Sequence, residues 1–168
     1  MRVILNVDDS DEGDSPAGRD FLVNNKAKLE QVLAQEILDL NKELQGYEAV
    51  YISLSIVGLD EIKDINKNYR QCDEATDVLS FPMFELFNGE LKIDAPQGLP
   101  LMLGDIIICP QKTFEMHLEL ENHEALLLML AHSLLHLLGW DHDTEERQRL
   151  MWLRQDEIKD NLLKALSN

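Results

Sequence analysis

The segment from Glu124 to Trp140, "EALLLMLAHSLLHLLGW", constrains the fold more than any other part of the chain. After its first residue the only polar side chains in it are His132, Ser133 and His136. A run of that length is at the short limit for crossing a bilayer, and two imidazoles and a hydroxyl suit hydrocarbon poorly. It reads instead as a buried core helix, apolar on most sides, which the rest of the chain must enclose. At 168 residues the chain is long enough to build one such enclosure and too short for two. The expectation is a single domain over residues 1–168, with an acidic, mobile loop at 8–20, where "DDSDEGDSPAGRD" offers little to bury.

The flanking segments alternate between strand and helix patterns. "RVILNV" (Arg2 to Val7) has the length and β-branched content of a strand. From Lys26 to Gln45, Leu29, Leu33, Ile37, Leu40 and Leu44 recur at steps of three and four, which predicts an amphipathic helix stopping near Gly46. "AVYISLSIV" alternates, with Val50, Ile52, Leu54 and Ile56 on the better buried face of a second strand. A helix over Asp60 to Tyr69, ending at Arg70, leads to a third strand in "TDVLSF", stopped by Pro82. Asn88-Gly89, Pro96, Gly98 and Pro100 punctuate a hairpin or excursion between Met83 and Gly104. "GDIIIC" makes a fourth strand, closed by Pro110. Helices follow from Lys112, through the leucine-rich segment, and from Thr144, where Asp143 and Glu146 have capping-box spacing. The pattern is that of an α+β domain, one mixed sheet of about four strands with helices packed on it.

Charge narrows the function. Thirty-two acidic against 15 basic side chains give −17, a field that repels polyanions and attracts basic proteins. Cys72 and Cys109 form no CxxC pair, so neither a disulfide framework nor a cysteine knuckle is indicated, and a reducing compartment fits. "MRVILNVDDS" lacks the long apolar stretch of a secretion signal, which points to the cytoplasm.

Three of the five histidines lie within "AHSLLHLLGWDHD". On a helix, His132 and His136 project from one face, one turn apart, and can share an ion. Gly139 is suited to end that helix in a left-handed conformation and to fold the chain back, bringing His142 to the same point. Three imidazoles leave a fourth tetrahedral position open, as in catalytic zinc sites. The H-x3-H-x2-G-x2-H string has the ligand spacing of the metzincin pattern. Metzincin proteases carry a glutamate base after the first histidine; here that residue is Ser133, which takes no proton at neutral pH. A metal so held can still lower the pKa of water and act as Lewis acid on a phosphoryl oxygen.

"HSLLHLLGWDH" resembles the signature of the YbeY family of bacterial ribosomal-RNA maturation factors, His-Gly-x-Leu-His-Leu-x-Gly-Tyr-Asp-His. "NKNYRQCDEATDVLSFP" and "LGDIIIC" resemble two further family motifs in the same order. The resemblance implies an α+β, zinc-dependent, single-strand-specific endoribonuclease acting in ribosomal RNA maturation and ribosome quality control. It implies His132, His136 and His142 as metal ligands and Arg70 as the catalytic arginine. Ser133 stands for the family's usual glycine, Trp140 for tyrosine, Cys72 for lysine and Ala75 for proline. Losing that lysine removes a cation from the RNA path, so RNA would enter by shape and exposed bases, with basic ribosomal proteins supplying attraction.

Arg70 has its own physical case, since a planar, permanently charged fork suits phosphate oxygens. Asp141 reads as a backbone cap or as support for a ligand, and Asp77 and Asp105 as ties for loop amides ahead of their strands. His117 and His123 read as exposed, Cys72 as no ligand, and Met151 and Trp152 as core. Nickel or another divalent transition metal could take zinc's place at imidazole ligands. Two alternatives stand beside the nuclease: a non-catalytic ribosome-assembly factor with a structural metal, and a metal-dependent hydrolase of another substrate.

Overall fold

Four segments pair into the sheet that the β-branched runs predict. In the computed structural model, which describes residues 1–8, 16–87 and 90–167, β1 is Arg2–Asp8, β2 Ala49–Ile56, β3 Val78–Pro82 and β6 Leu101–Ile108. Between β3 and β6 a short hairpin pairs β4 (Leu86–Phe87) with β5 (Glu90–Leu91). The order in the sheet is β1-β2-β6-β3, with β1, β2 and β6 parallel and β3 antiparallel on the edge. The parallel pair β1 and β2 needs a crossover, which α1 (Pro16–Leu40) and a 3-10 helix (Lys42–Gly46) provide. The sheet is mixed and carries helices, as the α+β reading has it.

Alternation in β2 is realised: Val50, Ile52, Leu54 and Ile56 are buried, while Tyr51, Ser53 and Ser55 are half-buried. β6 begins at Leu101, three residues ahead of the expected Gly104, since Leu101 and Met102 already pair with Val50 and Tyr51 before the register slips by one residue at Tyr51/Ile52. The extra residue, Leu103, forms a bulge just before Gly104. Gly104 has φ 153, and a Cβ there would strike the Phe81 carbonyl and lie 2.7 Å from Leu137. Glycine thus lets β3 and the histidine-bearing helix close onto β6 at one point.

That helix, α4 (Asn122–Leu137), follows α3 (Pro110–Met116) and precedes α5 (Glu145–Leu166). It touches α1, α3, α5, β3 and β6, and ten of its sixteen residues are buried, which is why its sequence is apolar on most sides. α2 (Leu59–Arg70) lies between β2 and β3 in the chain and buries Ile62 and Asn66. Among the described residues, no helix is long and apolar enough to cross a membrane.

Three further features differ from the sequence reading. α1 starts at Pro16, ten residues before Lys26, so residues 16–20 of the expected mobile loop are helical, Asp8 belongs to β1, and residues 9–15 lie outside the described residues. Its close packing explains the early start: a Cβ on Gly18 would come within 2.8 Å of Pro110, and Leu22 is 1% exposed. α1 also ends at Leu40, not near Gly46, because the Asn41 side chain accepts from the Glu43 N–H and starts the 3-10 helix. Lastly, α5 is capped by Thr144, whose hydroxyl accepts from the Arg147 N–H at 3.2 Å; the Asp143/Glu146 box does not form, and Asp143 pairs with the Arg147 guanidinium instead. Asn88-Gly89, read as hairpin punctuation, falls outside the described residues.

Candidate metal centre

The chain reverses after α4 by a Schellman turn. Gly139 has φ 88, its N–H donates to the His136 carbonyl at 3.0 Å, and the Trp140 N–H donates to the Leu135 carbonyl at 2.9 Å. Asp141 then accepts from the His142 N–H at 2.7 Å, a backbone cap, which fixes the segment carrying the third histidine. The result brings His132, His136 and His142 together, with ring centroids 4.6, 5.6 and 5.2 Å apart pairwise. One ligand nitrogen from each lies within 4.8 Å of the other two. His132 and His136 are half-buried and His142 is exposed, so the cluster opens to solvent on one side.

Two rings have their tautomers set by neighbours. His132 Nδ1 donates to Gln155 Oε1 at 3.0 Å, and His136 Nδ1 donates to the Trp140 carbonyl at 3.0 Å. Neither Nε2 then carries a hydrogen, yet the two Nε2 atoms face each other at 3.1 Å. Two lone pairs so close repel unless a cation lies between them. Two nitrogens bound tetrahedrally to one ion at about 2.0–2.1 Å are themselves about 3.3 Å apart. The donor set therefore fits a borderline divalent ion such as zinc or nickel, with the Nδ1 acceptors holding each ring in its ligating orientation.

The surroundings of His132 and His136 favour the neutral ring, the form that binds metal. Burial pushes the His132 pKa below its usual value of 6.5, as do His142 and Arg70, against the Gln155 hydrogen bond and the Asp77 charge. Burial, then the neighbouring His132, push His136 down to about 4, against its bond to Trp140.

Arg70 is exposed at the C-terminal end of α2, where its charge reaches His132. The loop beyond it is pinned by buried Asn66, which donates to the Glu74 carbonyl at 2.8 Å. Asp77 does tie down its strand, accepting from the Val78 N–H at 2.8 Å, and its other oxygen lies 3.1 Å from His117 Nε2. His117 is therefore half-buried rather than exposed, because it joins the end of α3 to the start of β3. His123 is exposed, with its ring 5.9 Å from Phe21. Asp105 does not precede its strand; it lies within β6 opposite Phe81. Cys72 is exposed and stands outside the histidine cluster. Ser133 is fully buried, so the position after the first histidine offers no base to the site.

Sequence reasoning missed two residues of α5. Met151 is core as expected, but Trp152 is 38% exposed, with its ring 5.2 Å from His142 and 5.9 Å from His132. Gln155 is the other, and its signal was available: Met151, Gln155, Ile158 and Leu162 form the buried stripe of α5, and one polar side chain in that stripe needs a partner. A groove of about 540 Å³ lies beside Trp140, Lys42 and Arg147, and none of the three histidines lines it.

Residues 20–163 match the family described as Endoribonuclease YbeY. The chain is similar to the Endoribonuclease YbeY of Oceanobacillus iheyensis, 40% identical over 129 residues covering 75% of this chain and 83% of that one. It is likewise similar to that of Lysinibacillus sphaericus, 35% identical over 160 residues covering 93% and 94%. A Thermotoga maritima protein solved in solution superposes with a TM-score of 0.61 at 26% identity, covering 98% of this chain and 91% of that one.

Proposed function

Because the chain belongs to the YbeY endoribonuclease family, we propose that it is a zinc-dependent, single-strand-specific endoribonuclease of ribosomal RNA maturation and ribosome quality control, working in the cytoplasm. His132, His136 and His142 hold the ion in this reading. The observation that carries it is the pair of Nε2 atoms facing each other 3.1 Å apart, with a third imidazole beside them. Nickel fits the same donors, and zinc is chosen for the open tetrahedral geometry that three imidazoles favour. An ion so held supplies Lewis acidity toward a phosphoryl oxygen and lowers the pKa of water that it coordinates.

The chain's own groups do the rest. Gln155 and the Trp140 carbonyl hold two rings in their ligating tautomers. Arg70 faces the charge that builds on the phosphate oxygens; its planar fork suits them and its exposed position admits a polymer. The open setting of His142 also suits a long strand better than a small molecule, which an enclosed pocket would hold. With a net charge of −17, Coulomb attraction cannot gather RNA, so basic ribosomal proteins supply it.

The test is cleavage of defined single-stranded ribosomal RNA by wild type, Arg70→Ala and His136→Ala, freed of contaminating ribonucleases. Both substitutions are expected to abolish most cleavage. Equal rates in all three would refute the nuclease. Chelation is expected to leave the fold intact, since the core closes without the histidines; unfolding on chelation, with no cleavage to lose, would favour an assembly factor with a structural metal.

A further inference from the structure

Trp152 is a large apolar ring left 38% exposed at the rim of the histidine cluster. It stands outside the buried stripe of α5, in T-shaped contact with two imidazoles, with interplanar angles of 73° to His142 and 77° to His132. An indole needed only to fill the core would be covered, as Met151 beside it is. We propose that Trp152 is a stacking platform for an unpaired nucleobase of the RNA strand at the metal centre, and so sets the preference for single-stranded substrate. The inference rests on the nuclease reading and deepens it.

Charge is the reason that stacking matters here. On a chain of −17 the phosphates are repelled, whereas base-on-indole stacking is indifferent to net charge. Stacking needs an unstacked, accessible base face, which a duplex withholds and a single strand offers. Arg149, one turn earlier on α5, is exposed and has no acidic partner among the described residues, while Arg147 and Arg154 are both paired. It is placed to meet the phosphate beside the stacked base. One platform of this kind changes affinity by about 5- to 150-fold.

The test uses metal-loaded protein and two probes that an endoribonuclease does not cut, a single-stranded hexadeoxyadenylate and an abasic deoxyribose-phosphate oligomer of equal length. Tryptophan quenching and anisotropy report binding, and bound metal is measured on every variant. Wild type is expected to prefer the base-bearing probe by roughly tenfold. Trp152→Leu should lose that preference, Trp152→Phe should keep part of it, and Arg149→Ala should weaken both probes alike. Metal content should be the same throughout. The inference is overturned if Trp152→Leu keeps the wild-type preference, if wild type has none, or if the leucine variant weakens both probes equally while losing metal, which would mark a structural ring. Binding is read without cleavage, so an inactive wild type that still shows the preference would sink the nuclease and leave the platform standing.

Discussion

Replacing Gln155 with leucine removes the acceptor that keeps the His132 proton on Nδ1. Gln155 is 8% exposed and its Oε1 lies 3.0 Å from His132 Nδ1, so no water stands ready to replace it. Leucine is close to glutamine in volume, so packing around Met151 and Ile158 changes little. In the metal-free protein the ring can move its hydrogen to Nε2 and bond toward His136, which limits the loss to about 1 kcal/mol. In the loaded protein Nε2 must stay bare, and an Nδ1–H faces hydrocarbon at about 1–3 kcal/mol. The difference, about 1–2 kcal/mol where the unpaired Nδ1–H costs about 2–3, falls on metal affinity, expected to drop about 5- to 30-fold. Competition against a chromophoric chelator at neutral pH measures it. Gln155→Glu, which keeps a stronger acceptor, is expected to bind at least as tightly as wild type. A leucine variant holding the ion within about twofold of wild type would refute this division of labour between the two ring nitrogens.

Other consequences are independent of that bond. His136 has a pKa of about 4 in the metal-free protein against 6.5 for an unperturbed histidine, so the unfolded chain binds the proton more readily between those values. Metal-free stability should then be full above about pH 6.5 and fall on acidification toward 4, by up to about 3 kcal/mol; urea midpoints against pH should show it, and His136→Gln should flatten the curve. The Ser133 hydroxyl is buried without a hydrogen-bond partner, so Ser133→Ala is expected to stabilise the fold by about 1 kcal/mol, read as a raised denaturation midpoint, without changing metal affinity. A lowered midpoint would show that the hydroxyl has a role in the core. Glu36 is 4% exposed and joins α1 to α5 by accepting from Arg154 at 2.7 Å and Asn161 at 2.8 Å. Glu36→Ala leaves Arg154 with Glu157 alone and Asn161 without its acceptor, and should destabilise by about 2 kcal/mol in denaturant; a loss too small to resolve would make the link ornamental.

Legibility in the sequence followed the range of the forces involved. The alternation of β2, the apolar surround of α4 and the left-handed Gly139 are local consequences of period and backbone sterics, and each was readable. The early start of α1 was not, because "PAGRDFLVNN" has weak helix formers and is held by Gly18 packing on Pro110, nearly a hundred residues away in sequence. Trp152 was read as core since apolar periodicity tells which residues can be buried and not which one is left at a rim. The Asp77–His117 contact spans 40 residues and has no spacing signal at all. Thr144 outcompeted the Asp143/Glu146 box because both residues suit a cap, and the tertiary approach of α5 selects between them.

X-ray absorption at the metal edge of the zinc-loaded protein tests most directly whether three imidazoles hold one ion and leave room for another ligand. The expected spectrum has three imidazole nitrogens and one exchangeable light atom at about 2.0–2.1 Å, and loses one imidazole in His142→Ala. A sulfur shell near 2.3 Å, or a spectrum unchanged by that substitution, would contradict it.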